Sequence, residues 1–473
     1  MDHDLSIRID RSARTPVAGQ IAAAIGAAIH DGRLAPGARL PSWHDLAAQL
    51  GVARGTVRAA YDSLRDQQLI VTAGAAGTRV ARQALPARTA PAAERPATAP
   101  ARRVAPVPFQ VGVPGQDVFP FKTWSRIMGR AARAAAAQPL AYPDPRGEPV
   151  LRGAIAAYLG IARGIACHPS QVFVANGYAA ALGLALRALR LDGRTAWVED
   201  PGYASARDVL LHYGVTPAPV PIDAEGLDVA AGVARAPDAL LAVVTPGQQA
   251  PLGMTLSLAR RHALLDWAAA RGAWIVEDDY LGELQLQGRA TPALAARDRA
   301  GRVLHIGTFS KTISPALRVA FLVVPPALAP AVAEVADVGA AAPAPAIQFA
   351  IEEFLRDGHY LRHLRHMKRV YAERRAALDA ALRGLGLPHA EAGLSVLLPL
   401  ADGVDDAALA ARARGAGLAP SPLSWWRAPG SSGPGGLLLG VTNVAPAQAQ
   451  AACALLAGLL RDAVPVPPAA ADG

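Results

Sequence analysis

Apolar residues recur at helical spacing in VAGQIAAAIGAAIHDGRL, with Ile21, Ile25 and Ile29 on one stripe, and the pattern predicts a helix that Gly32 stops. PSWHDLAAQLG predicts a short second helix, with Ser42 as N-cap, Asp45 three residues on and Gly51 closing it. After the turn VARG, the run TVRAAYDSLRDQQL predicts a third helix, and VTAGAAGTRVA predicts two short strands around a glycine-containing turn. From about Phe109 the pattern changes. Short apolar runs alternate with helical stretches: QVFVAN, TAWVED, LLAVVTP, AWIVEDD, RVLHIGTFSK and VAFLVVP. Buried strands separated by helices predict an α/β fold with a mostly parallel sheet, in which ligands gather beyond the carboxyl ends of the strands.

The first pattern, a helix pair across a tight turn followed by a hairpin, fits a winged helix-turn-helix whose second paired helix enters the major groove. Between Arg82 and Pro108 the chain becomes RQALPARTAPAAERPATAPARRVAPVP, with five Arg against one Glu and almost no large apolar residue. Such a stretch cannot form a core and is expected to be a linker, reaching up to about 80 Å if extended at about 3.1 Å per residue. The expected organisation is therefore a head over 1–81, a linker over 82–108 and a large unit over 109–473.

Length agrees with this division, since 473 residues exceed one ordinary domain. The formal charge of +9 permits a polyanionic partner, although residues 1–81 carry nine Arg against seven acids and are only mildly basic. Asp2 and Asp4 open the chain with no long apolar run after them, and no stretch approaches the roughly 20 apolar residues of a membrane helix. A soluble, cytoplasmic, nucleoid-associated protein without a membrane partner is expected. Cys167 and Cys453 have no metal-ligand spacing and imply neither zinc nor a disulfide framework.

Among 47 basic side chains only Lys122, Lys311 and Lys368 are lysine, and Lys311 sits in GTFSKTISPALR. Lysine, unlike arginine, can lose its proton and attack a carbonyl carbon to form a Schiff base. Other strand ends carry complementary groups. Asn176-Gly177-Tyr178-Ala179 opens a helix whose amides suit a phosphate, Tyr203 in DPGY offers a ring to a planar ligand, and AWIVEDDY ends in three acids and a tyrosine. With Thr308, Ser310 and Arg318, these suit pyridoxal 5'-phosphate: a lysine for the aldehyde, a carboxylate for the pyridine nitrogen, hydroxyls and arginine for the phosphate.

The run Val17–Ala81 resembles the winged helix-turn-helix of GntR-family regulators, most clearly in GRLAPGARLPSWHDLAAQLGVARGTVRAAYDSL and the GTRVA wing. AYPDPRGEPVLRGAIAAYL, VEDPGYASAR, RGAWIVEDDY and GTFSKTISPALR resemble the aspartate-aminotransferase fold, fold type I of pyridoxal-phosphate enzymes. The whole chain is similar to the MocR subfamily of GntR regulators, which fuses these units. The resemblance implies that Arg54, Thr56, Arg58 and the wing residues Gly77 to Arg79 touch DNA, with Ser42 and His44 at the start of the preceding helix. His44 departs from an arginine common there. In the large unit it implies that Lys311 forms the Schiff base, Asp278 meets the pyridine nitrogen, Tyr280 the ring hydroxyl and Tyr203 the ring face. Thr308, Ser310, Arg318 and the amides of Tyr178 and Ala179 would hold the phosphate, with Tyr142 reaching it from the other subunit of a homodimer.

Departures from the pattern bear on activity. Gly247 and Gln248 replace a serine and a histidine, the start NGYAAAL lacks a common glutamine pair, and Leu438 in LLLGVTN stands where aminotransferases clamp the substrate carboxylate with arginine. Losing that charge-assisted bond costs about 1.5 to 3 kcal/mol, and Arg207 is the candidate replacement. The leading expectation is a regulator that binds double-stranded DNA and responds to pyridoxal phosphate itself, in keeping with control of vitamin B6 or amino-acid metabolism, or to an amine or amino acid condensing with it. The alternatives are an active aminotransferase with an accessory DNA-binding head, and a degenerate fold that binds no cofactor.

Overall fold

The computed structural model describes residues 7–13, 15–72, 77–82, 106–137, 142–286, 291–339 and 342–462. It divides into two compact units, 1–103 and 104–473. Residues 83–105, the bulk of the expected linker, lie outside the described residues.

In the first unit, α1 (Val17–His30), α2 (Trp43–Leu50) and α3 (Arg54–Asp66) precede an antiparallel pair, β1 (Ile70–Thr72) and β2 (Thr78–Val80). The α1 stripe Ile21, Ile25 and Ile29 is buried against Val57, Tyr61 and Leu64 of α3 and Ile70 and Val80 of the strands. Ser42 caps α2 as expected: its hydroxyl accepts from Asp45 N at 3.1 Å and donates to the Asp45 carboxylate at 2.7 Å. The third helix begins earlier than TVRAAYDSLRDQQL implies, at Arg54, because the backbone from Ala53 is already closed by Thr56 N donating to Ala53 O at 2.9 Å. It also ends earlier, at Asp66. Gln68 turns left-handed (φ 58°), and Leu69 N returns to Leu64 O at 3.0 Å, which packs Leu69 on the core.

The second unit is built on an eight-stranded sheet in the order β3-β10-β9-β8-β7-β4-β5-β6. Its strands are β3 (Val172–Ala175), β4 (Thr195–Asp200), β5 (Thr216–Asp223), β6 (Gly226–Leu227), β7 (Leu241–Val244), β8 (Trp274–Asp279), β9 (Val303–Thr308) and β10 (Ala320–Val323). Strands β5, β4, β7, β8 and β9 pair in parallel, whereas β6 and β10 run against their neighbours. Both faces are covered, so successive residues of β8 enter different cores: Ile275 joins Trp197 and Leu264, and Val276 joins Leu182 and Ile306. That double burial is why these strands read as continuous apolar runs rather than alternating ones.

Strand β10 pairs antiparallel with both β3 and β9, Ala320 lying opposite Ala175 and Thr308. The start of β10 therefore meets the carboxyl ends of its neighbours. Helix α4 (Phe121–Ala136) and helix α5 (Pro149–Ala162) precede β3, and α6 (Tyr178–Leu189) follows it directly and packs on β3, β9 and β10. A second, antiparallel sheet, β11 (Ala390–Ala392), β12 (Ser395–Pro399), β13 (Ser421–Pro422) and β14 (Gly436–Gly440), lies beyond the strands read from sequence. Among the described residues, no helix is long and apolar enough to cross a membrane.

The cap on α2 supplies a first test. Ser42→Ala is expected to lower the stability of the first unit by about 1 kcal/mol, read as a lower midpoint of that unit's transition in calorimetry of the full chain; an unmoved midpoint would contradict it.

Candidate functional site

At the carboxyl edge of the large sheet lies a cavity of about 300 Å³. Lys311 leaves the end of β9 and enters it, with Nζ donating to Gly112 O at 2.9 Å. Burial holds this amine below the ordinary lysine value, opposed by the charge of Asp278. Gly112 has φ +79°, and a Cβ there would sit 3.1 Å from Nζ, so backbone and amine approach closely only because no side chain intervenes.

The three acids ending β8 meet three different environments. Glu277 accepts from Leu294 N at 2.6 Å and Ala295 N at 3.0 Å and faces His305 Nδ1 at 3.0 Å. Asp279 pairs with Arg163 Nε at 2.5 Å. Asp278 makes no ion pair among the described residues; burial first, then the charges of Asp279 and Glu199, push it up to about 8, with Lys311 and His305 pulling the other way. Glu199, buried against Thr245 and Gln249, is pushed up to about 7 by burial. Beside Asp278, the Tyr178 hydroxyl is buried without a hydrogen-bond partner. Tyr280 is also raised by burial and by Asp278, with Gln248 next to its hydroxyl.

The other end of the cavity is a cationic cradle. Helix α6 follows Gly177 with no capping side chain, and Ala181 N closes the first turn on Gly177 O at 3.1 Å, leaving the amides of Tyr178 and Ala179 ahead of the hydrogen-bond ladder. Gly177 has φ +87°, and a Cβ on it would lie 2.8 Å from the Arg318 guanidinium. Arg318 Nη2 reaches Asn176 O at 3.4 Å. Thr308 Oγ1 donates to Ser310 Oγ at 3.0 Å and accepts from Ser310 N at 3.1 Å. Amides, hydroxyls and guanidinium at a helix amino terminus have the chemistry of a dianion site.

Tyr203 stands at the mouth, edge-on to Tyr178 at 5.6 Å between ring centroids and tilted against Trp426 at 6.2 Å. Trp426 lines the cavity and carries no signal in the sequence, because it arrives from the turn Leu423–Trp426 of the second sheet. Tyr142 is fully exposed and lies outside the lining of this chain's cavity. Arg207 does not replace the missing carboxylate clamp, contrary to the sequence reading. It is buried with its guanidinium donating to Gly202 O at 3.2 Å, Trp426 O at 3.1 Å and Arg427 O at 2.9 Å. Leu438 is buried on β14 among Ala392 and Leu423. Gly247 has a local reason: a Cβ would press on Asp279 Oδ1 at 3.3 Å and Arg163 Nη2 at 3.4 Å.

In the first unit Arg54 and Arg58 are exposed one turn apart on α3, opposite the buried Val57 and Leu64, with Thr56 half-buried between them. Neither arginine makes an ion pair among the described residues. His44 is exposed and lies 3.7 Å from the Trp43 ring centroid, and Ser42 is engaged in its cap. At the hairpin, Arg79 donates to Gly37 O at 3.0 Å and bridges to Arg39, whose guanidinium borders Gly77. Nothing in the sequence pattern singles out Arg39; only the hairpin brings it beside Arg79.

Residues 17–80 match the family described as bacterial regulatory proteins, gntR family, and residues 115–415 match aminotransferase class I and II. The chain is similar to the probable rhizopine catabolism regulatory protein MocR of Rhizobium meliloti, 36% identical over 436 residues, 88% of each chain. It is also similar to the HTH-type pyridoxine biosynthesis transcriptional regulator PdxR of Corynebacterium glutamicum, 33% identical over 386 residues, 81% of this chain and 82% of that protein. Among solved structures, LysN, the alpha-aminoadipate aminotransferase of Thermus thermophilus complexed with N-(5'-phosphopyridoxyl)-L-leucine, superposes with a TM-score of 0.67 at 25% identity, covering 75% of this chain and 92% of that one.

The environment of Asp278 sets a pH dependence. Its pKa rises from 3.8 in the unfolded chain to about 8 in the fold, so the folded state holds the proton more tightly and stability declines as pH climbs between those values. In ligand-free protein, Asp278→Asn is expected to gain on the parent by on the order of 5 kcal/mol between about pH 3 and pH 9; denaturant midpoints at both pH values check this.

Proposed function

The chain belongs to the MocR-type regulators, in which a gntR-family head is joined to an aminotransferase class I and II unit, and from that premise we propose that it is a transcriptional regulator whose large unit binds pyridoxal 5'-phosphate. One observation carries the reading: a buried Lys311 amine, an Asp278 carboxyl without an ion pair and a dianion cradle around Arg318 share one cavity. The unpartnered Tyr178 hydroxyl and the space that Gly177 leaves in front of Arg318 fit the cofactor.

In this assignment Thr308, Ser310, Arg318 and the amides of Tyr178 and Ala179 bind the phosphate, Asp278 faces the ring nitrogen, Tyr280 the ring hydroxyl and Tyr203 a ring face. Tyr142, exposed on this chain, serves the site of a second copy in a homodimer. The cofactor, when bound, supplies an aldehyde carbon for which Lys311 and primary amines compete. A ring nitrogen carrying a proton would also relieve Asp278 of its isolation. Double-stranded DNA is bound by the head through Arg54, Thr56, Arg58, Gly77 and Arg79, with His44 and Ser42 beside them.

The signal is pyridoxal phosphate itself or an amine that meets it. The likeness to a pyridoxine biosynthesis regulator supports the first form. Efficient turnover of amino acids is disfavoured, because Leu438 is buried in an apolar cluster and Arg207 is committed to backbone carbonyls. Occupancy can alter DNA binding only if it favours one arrangement of the two units over another.

Adding pyridoxal phosphate to cofactor-free protein is expected to raise a visible absorption band, absent from Lys311→Ala, and to change operator affinity several-fold. Identical operator binding with and without the cofactor would remove its role as signal. Arg58→Ala is expected to weaken operator binding and to reduce its salt slope by about one, measured by titration across ionic strengths.

A further inference from the structure

Past Lys311 the cavity continues toward the second sheet, where Val111, Ala392, Leu394, Ser395 and Trp426 line it. Among the described residues lining the cavity, the positive charges are Lys311, beside Asp278, and Arg318, at the amino terminus of α6. The arginines around the second sheet are engaged elsewhere. Arg207 and Arg427 donate to backbone carbonyls, and Arg374 pairs with Asp117. A ligand carboxylate entering this end would lose its water without gaining a cation, the costly case for a buried charge.

One polar side chain is available there. Ser395 opens β12, is 5% exposed, and its hydroxyl makes no hydrogen bond among the described residues. Its polar neighbours are already partnered: Thr442 Oγ1 donates to Val113 O at 2.6 Å, and Trp426 Nε1 donates to Ser421 Oγ at 3.0 Å. Ser395 is largely buried yet lines the cavity, so a ligand group entering this end can bond its hydroxyl in place of water.

We propose that this end of the cavity recognises a small primary amine bearing an uncharged hydrogen-bonding group and no carboxylate, with Ser395 as its polar partner and Trp426 as its apolar wall. The proposal rests on the reading that pyridoxal phosphate occupies the other end. The amine requirement follows from the aldehyde carbon presented there, and the exchange balances. One carbon–nitrogen double bond forms as the one to Lys311 breaks, the hydrogens shed by the amine nitrogen end on Lys311 Nζ, and no electrons are transferred. The released Nζ has an acceptor in Gly112 O, 2.9 Å away here. Small size follows from a volume of about 300 Å³ shared with the cofactor, at the lower end of the roughly 300–1,000 Å³ range of ligand sites.

Simple probes separate the terms: 2-aminoethanol and serine differ by a carboxylate, and 2-aminoethanol and propylamine differ by a hydroxyl in place of a methyl. Each is titrated into the full-length, cofactor-loaded protein while the visible band of the bound cofactor is followed. The half-saturating concentration of 2-aminoethanol is expected to lie at least about tenfold below that of serine, and Ser395→Ala is expected to erase most of its advantage over propylamine. Serine acting at an equal or lower concentration overturns the proposal, as does a band that none of the probes moves. An advantage that survives Ser395→Ala removes Ser395 from it. Failure of the cofactor reading is seen earlier and separately, as a protein that forms no band before any amine is added.

Discussion

The reversed direction of one strand organises the large unit. Because β10 runs antiparallel between β3 and β9, the residue that begins it, Ala320, pairs at once with the last residues of both neighbours, Ala175 and Thr308. The segment just before it is thereby delivered to the edge where the parallel strands end. Arg318 rides on that segment in a left-handed conformation (φ 53°), its guanidinium over Gly177 and the open amides of α6. A parallel β10 would carry Arg318 to the opposite edge of the sheet. The helix terminus, the hydroxyls of Thr308 and Ser310, and Lys311 would then face one another without their cation.

The same edge concentrates negative charge, and the fold neutralises it unevenly. Glu277 and His305 sit together so that each favours the charged form of the other, and two backbone amides complete the carboxylate. Asp279 has the buried Arg163. Glu199 has hydroxyl and amide donors but no cation among the described residues, and is correspondingly raised. Asp278 faces the cavity with the least compensation, so burial pushes it up to about 8 and the fold holds its proton. Perturbed groups of this kind cluster at functional sites because binding is what relieves them.

The head is assembled on different terms. A small apolar core, fed by one stripe from α1 and one from α3, leaves Arg54 and Arg58 exposed on α3 with no acidic partner among the described residues, while Arg65 pairs with Asp62. Cations held unpaired on a helix surface are available to phosphate, whereas the buried arginines of the large unit are committed to carbonyls and carboxylates. The two units thus use the same residue type for opposite purposes, and burial decides which.

Local pattern was enough for much of this. The helix stripes, the Ser42 cap, the hairpin and the run of parallel strands follow from side-chain periodicity and turn chemistry, which act over a few residues. Family resemblance, more than pattern, pointed to Lys311, Asp278, Thr308 and Ser310, and these residues line one cavity. The ends of α3 were misplaced by a few residues, because backbone closure at Ala53 and the left-handed Gln68 leave little trace in composition. What periodicity could not supply was any pairing between residues distant in the chain: Trp426 and Ser395 in the cavity wall, Arg39 beside Arg79, Arg163 against Asp279, and Arg207 spent on carbonyls of the second sheet. The sequence by itself determined which chemical groups the protein possesses and the elements that carry them. Only the tertiary structure decided which groups are buried together and which are left unpaired, because desolvation and hydrogen-bond satisfaction depend on neighbours that the strand order, not the chain order, selects.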